Sequence, residues 1–225
     1  MKYQLAIFDM DGTILDSLED LANTLNYALS SCGYPKRSLE EVRSFVGNGI
    51  RKLIERGVPE GTGISDIERV YEVFAPYYKE HCFDKTKPYD GIKTLLFELR
   101  KQGVKTAVVS NKADFAVQIL CKQYFQGLFD AAVGEQAGIQ KKPAPDSVNM
   151  VLNKLGIKRE DSVYIGDSDV DIQTAQNAGM DCISVDWGFR DVDFLLENGA
   201  KKIVSSPEAL LSLLTDIDIC IEYSK

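Results

Sequence analysis

Two carboxylates one residue apart, Asp9 and Asp11, follow directly on the apolar run Leu5-Ala6-Ile7-Phe8 and precede Gly12-Thr13. Along extended backbone, residues i and i+2 point to the same side, so both acids can face one spot. Like charges so placed repel, and they need a cation between them, a shared proton or solvent. Gly12 allows a sharp turn there without a Cβ penalty. By themselves these residues fit equally well an ordinary buried strand ending in a solvated Asp-Gly turn. Their chemistry depends on what the fold sets beside them.

Three further polar groups stand at comparable places. Ser110-Asn111 follows the apolar stretch Val104 to Val109, Lys142 immediately precedes Pro143, and Gly166-Asp167-Ser168-Asp169-Val170-Asp171 follows Ser162 to Ile165. Each has a bland explanation alone: a serine capping the next helix, a solvated loop lysine, acids favouring a helix N-terminus. Jointly they place a carboxylate pair, a hydroxyl, a lysine and a second acidic cluster at strand ends. In open parallel sheets that is where ligands bind.

The elements that must position them read as follows. Leu5 to Phe8 has the continuous apolar character of a strand buried on both faces. From Pro88 onward strands alternate with helices: helix 92–102, strand 104–109, helix 113–124, strand 131–133, helix 146–155, strand 162–165, helix 171–178, strand 182–185, strand 202–204 and helix 207–214. That rhythm predicts an α/β fold, a doubly wound parallel sheet with Leu5 to Phe8 as its first strand. Between about Asp16 and Lys85 no strand is expected. Apolar residues there recur at helical spacing over 18–29, with Asp16 or Ser17 as cap, over 38–46 with a serine cap, over 50–56, and over 66–81. The expected organisation is a core of residues 1–15 plus 86–225, with an all-helical insertion over 16–85.

Composition narrows the partners. The 225-residue chain is 44% hydrophobic and 27% charged with a net charge of −8, which argues against nucleic acid and anionic membranes. Five scattered cysteines without CxxC spacing read as reduced thiols. No signal peptide and no membrane span are expected, which points to the cytoplasm.

The motifs Asp-Met-Asp-Gly-Thr (9–13), Val-Val-Ser-Asn-Lys (108–112), Lys-Lys-Pro-Ala-Pro-Asp (141–146) and Gly-Asp-Ser-Asp-Val-Asp (166–171) together resemble the haloacid dehalogenase superfamily of phosphohydrolases. Within it, Phe-Val-Gly-Asn-Gly (45–49), Tyr-Asp-Gly-Ile (89–92) and Asp-Trp-Gly-Phe-Arg (186–190) resemble the phosphoglycolate phosphatase-like group. The resemblance implies a Rossmannoid core with a mobile helical cap. It also implies Mg²⁺-dependent hydrolysis of a small phosphorylated metabolite through an aspartyl-phosphate. In that scheme Asp9 is the nucleophile and Asp11 the general acid and base, while Lys142 neutralises charge. The metal is held by Asp9, Asp167 and the backbone carbonyl of Asp11, with Asp171 orienting Lys142 or the metal shell. Gly12, Thr13, Ser110 and Asn111 contact substrate, and in the cap Gly49 and Arg51 are candidates to meet an acidic leaving group. A sugar phosphomutase or an inorganic pyrophosphatase shares the first steps. A phospho-accepting signalling receiver is the alternative from another class, although its acceptor would follow a later strand. Oligomeric state stays open.

Overall fold

A computed structural model describes residues 2–215. Cys32, Cys82, Cys121 and Cys182 are free thiols, and Cys220 lies outside the described residues. No helix among these residues is long and apolar enough to cross a membrane.

Strand β1 (Leu5–Phe8) is buried at every position. Ala6 and Phe8 pack into one hydrophobic cluster and Leu5 and Ile7 into another, because successive strand side chains point to opposite faces. The chain therefore needs helices on both sides of its sheet. One face is covered by α5 (Ile92–Lys101), α6 (Asp114–Tyr124) and α10 (Pro207–Thr215), the other by α7 (Asp146–Leu155) and α8 (Asp169–Ala178). Between them β1 lies at the centre of a six-stranded parallel sheet with β4 (Lys105–Ala113), β5 (Ala131–Glu135), β6 (Ser162–Gly166), β7 (Asp181–Val185) and β8 (Ile203–Val204), ordered β5-β4-β1-β6-β7-β8. Phe8 pairs with Val108 on one side and Ile165 on the other. The residues after each of these three lie side by side at the carboxyl edge, where the strand order reverses. The expected doubly wound sheet is present.

Helices α1 (Leu18–Ser31), α2 (Leu39–Phe45), α3 (Ile50–Gly57) and α4 (Ile64–His81) occupy the stretch between β1 and α5. Ser38 caps α2 in a reciprocal capping box with Glu41, the motif that its sequence signals. Four details depart from the sequence reading. Leu15–Asp16 (β2) and Lys87–Pro88 (β3) form a two-stranded antiparallel ribbon at the two ends of the insertion, too short to carry a strand pattern. Ser17 stands at the start of α1 without capping it. Its hydroxyl donates to an Asp11 carboxylate oxygen at 2.5 Å instead. Strand β4 runs on through Ser110, Asn111 and Lys112 rather than ending at Val109. A short helix, α9 (Val192–Glu197), was not expected; Asp191 caps it by accepting from the Phe194 amide.

Candidate active site

Asp9 leaves the end of β1 and is buried. Lys142 Nζ lies 3.0 Å from Asp9 Oδ1, 2.7 Å from Asp171 Oδ1 and 3.0 Å from the Tyr164 hydroxyl, which itself donates to the Val109 carbonyl. Asp171 uses its other oxygen to accept from the Ser168 amide and hydroxyl, so the first turn of α8 fixes the carboxylate that orients Lys142. Nothing in the sequence singled out Tyr164 except a hydroxyl in the middle of a buried strand.

Asp167, at the end of β6, is held from two directions. The Thr13 hydroxyl donates to it at 3.0 Å and the Phe189 amide at 2.8 Å. A Cβ on Gly12 would come within 2.3 Å of Asp167, and one on Gly188 within 2.4 Å. Both positions must therefore lack a side chain for this carboxylate to sit where it does, and Gly12 also has a φ of 82°. Gly12 and Thr13 thus act on Asp167 and do not line the cavity above it. Gly188 and Phe189 lay in a motif whose role the sequence did not disclose.

Burial lifts Asp9 to about 6, against the lowering effect of Lys142 and with a further push upward from Asp171. Asp167 is lifted to about 8, first by burial and then by Asp171 and Asp9. For Lys142 burial acts downward, yet Asp171 and Asp9 outweigh it and hold the ammonium well above the usual lysine range. Carboxylate oxygens of Asp9, Asp167 and Asp171 lie within 4.8 Å of one another, and the buried Asp9 Oδ1 makes no well-aligned hydrogen bond beside its ion pair with Lys142. An anionic cluster so raised, made only of hard oxygen donors, fits a small divalent cation. Asp9 and Asp167 line the cavity above this cluster and Asp171 does not, which leaves Asp9 and Asp167 as the carboxylates open to it.

Asp11 lies above this floor. One oxygen accepts both from Ser17 at 2.5 Å and from Lys112 Nζ at 2.8 Å, and Lys112 also donates to the Tyr78 hydroxyl from α4. Lys112 is as buried as Lys142. It closes the Val-Val-Ser-Asn-Lys motif, but its role is hidden in the sequence, because Tyr78 is distant in the chain and only folding brings it near.

A cavity of about 40 Å³, lined among others by Asp9, Asp11, Ser110, Asn111, Asp167, Gly49 and Arg190, joins these groups to the insertion. Asn111 donates to the Gly47 carbonyl at 3.1 Å and the Lys142 carbonyl at 3.0 Å, tying sheet to insertion. Gly49 lines the cavity at the head of α3. Arg51 does not reach it: this exposed side chain pairs with Glu68 and covers the Tyr71 ring at 4.4 Å. Glu68, on α4 within reach of α3, takes the guanidinium.

Residues 6–185 match the model of the haloacid dehalogenase-like hydrolases. The chain is 34% identical over 192 residues to a phosphoglycolate phosphatase of Pseudomonas putida, covering 83% of this chain and 70% of that protein. It is also 34% identical over 187 residues to the phosphoglycolate phosphatase of Aquifex aeolicus, covering 83% and 86%. Among solved structures, a candidate phosphoglycolate phosphatase from Lactobacillus delbrueckii subsp. bulgaricus superposes with a TM-score of 0.91 at 44% identity, over 95% of this chain and 99% of that one. The chain belongs to the haloacid dehalogenase-like hydrolase family, and within it to the phosphoglycolate phosphatase-like group that its motifs resemble.

Proposed function

We propose that this protein is a Mg²⁺-dependent phosphatase that hydrolyses a small phosphomonoester of the 2-phosphoglycolate kind through a phosphoryl group carried on Asp9. The observation that carries the reading is Asp9 itself: a buried carboxylate at the carboxyl edge of the central strand, 3.0 Å from a buried lysine and grouped with Asp167.

Asp9 attacks phosphorus, the P–O bond to the leaving alkoxide breaks, and water later attacks the same phosphorus to free the carboxylate. Asp11 gives a proton to the alkoxide in the first half and takes one from water in the second. Lys142 offsets charge on the nucleophile and the transferring group, and Ser110, beside Asp9 in the cavity wall, holds phosphoryl oxygens. Asp9, Asp167 and the backbone carbonyl of Asp11 would hold Mg²⁺, which when bound lowers the repulsion between carboxylate and phosphate dianion. Residues 16–85 work as a cap that swings on the β2–β3 ribbon, since Val46, Gly47 and Gly49 of the insertion form part of the wall over Asp9.

The test is a phosphate-release screen of the purified protein with Mg²⁺ and 2-phosphoglycolate, sugar phosphates, nucleotides and pyrophosphate. Highest kcat/KM on 2-phosphoglycolate or a close carboxylated relative is expected. Preference for pyrophosphate, or interconversion of sugar phosphates without phosphate release, would replace the reading with one of the family's other chemistries.

A further inference from the structure

We infer that Arg190 is the residue that selects a leaving group carrying a negative charge. The inference rests on the phosphatase reading and assigns its specificity. With a net charge of −8, the protein's overall field repels an anion, so recognition of a second negative group needs a local cation. Two cationic side chains line the cavity, Lys112 and Arg190. Lys112 is neutralised by Asp11 at 2.8 Å. Lys142 is shared between Asp9 and Asp171, and Arg51 is spent on Glu68 outside the cavity.

Arg190 differs from all of these. Among the described residues it has no carboxylate partner. Its guanidinium donates to three backbone carbonyls instead: Arg43 at 3.0 Å, Ser44 at 3.2 Å and Val46 at 3.1 Å. Carbonyl dipoles at the end of α2 orient the group without cancelling its unit charge. Its Nε is buried and has no acceptor. Phe194 packs against the guanidinium at 5.4 Å. The result is a fixed, uncompensated cation where the sheet's loop meets the insertion, one residue from the Phe189 amide that holds Asp167. Val46, Gly47 and Gly49 continue from the carbonyls it grips and form the adjoining wall of the cavity. A carboxylate on the leaving group supplies the missing charge partner, and it meets Arg190 only when residues 43–46 are seated. Recognition of the anion and closure of the insertion are thereby one event.

The experiment measures kcat/KM for 2-phosphoglycolate and for 2-hydroxyethyl phosphate, its neutral counterpart of similar size, in wild type, Arg190→Gln and Arg190→Lys. Glutamine can still donate to the carbonyls but carries no charge; lysine keeps the charge. Arg190→Gln is expected to lower the ratio of the two values about 10- to 100-fold, the range of one hydrogen bond to a charged group. Arg190→Lys should recover most of that ratio. An unchanged ratio in an active Gln variant, including equal losses on both substrates, overturns this inference alone. Absence of phosphate release from either substrate by wild type overturns the phosphatase reading and this inference with it.

Discussion

Asp11 has three neighbours that come from three different parts of the chain: Ser17 at the first ribbon strand, Lys112 at the end of β4, and Tyr78, through Lys112, from α4. A proton shuttle held this way keeps its place when its acidity is removed. Asp11→Asn is accordingly expected to bind Mg²⁺ and substrate with near wild-type affinity while kcat falls by roughly two to four decades. Steady-state kinetics together with calorimetric titration of the substrate would separate the two effects, and a large loss of binding would remove Asp11 from the shuttle role. Asp9 and Asp167 present the opposite situation, carboxylates whose charge the fold resists. Their folded values, about 6 and about 8, exceed the unfolded carboxylate range near 4. Between those limits the folded state binds more protons than the unfolded, so the contribution of these two groups to metal-free stability is fully present below about 4 and is lost as pH rises from there to about 8. A divalent ion relieves that penalty. Added Mg²⁺ should therefore raise Tm more at pH 8 than at pH 5.5. Asp167→Asn should be the more stable protein without metal at pH 8 and gain little from Mg²⁺. Equal Mg²⁺ effects at the two pH values would contradict the metal assignment.

At the level of elements, one buried carboxylate holds the two ends of the insertion together. Asp20, in the first turn of α1, accepts from the Lys85 amide, the Thr86 amide at 2.8 Å and the Thr86 hydroxyl at 2.7 Å. It fastens the beginning of the insertion to its end, next to the β2–β3 ribbon. Asp20→Ala strands two buried donors and should cost about 2–4 kcal/mol, read as a lower denaturant midpoint. A destabilisation below about 0.5 kcal/mol would show that the ribbon alone carries the junction. The same junction marks where sequence reading gives out. Continuous apolar runs such as Leu5 to Phe8 announce buried strands because a parallel sheet covers both faces, and Ser38 with Glu41 announces a helix start because the capping geometry is local. Two-residue strands have no period to read. Ser17 has the residue type and place of a cap, yet a charged acceptor six residues earlier is the stronger partner.

Across the whole molecule, the candidate site was legible where its groups stand at strand ends. Asp9 and Asp167 follow neighbouring strands, Ser110 lies in the strand beside Asp9, and Lys142 and Asp171 come with short motifs. The groups that join sheet to insertion were hidden. Lys112, Tyr78 and Arg190 acquire their partners only through contacts between residues 34 to 147 positions apart, and nothing local to Arg51 reveals Glu68 beside it. One claim underlies all the rest, that Asp9 carries the phosphoryl group. It is tested most directly by quenching Asp11→Asn in acid during turnover of p-nitrophenyl phosphate with Mg²⁺, then mapping phosphoryl adducts by peptide mass spectrometry. This substrate's good leaving group forms the adduct without help from position 11, and its hydrolysis then lacks a base. The expected result is one phosphoryl group on Asp9, absent from Asp9→Asn. No adduct, an adduct on another residue, or near-normal turnover by Asp9→Asn would contradict the account.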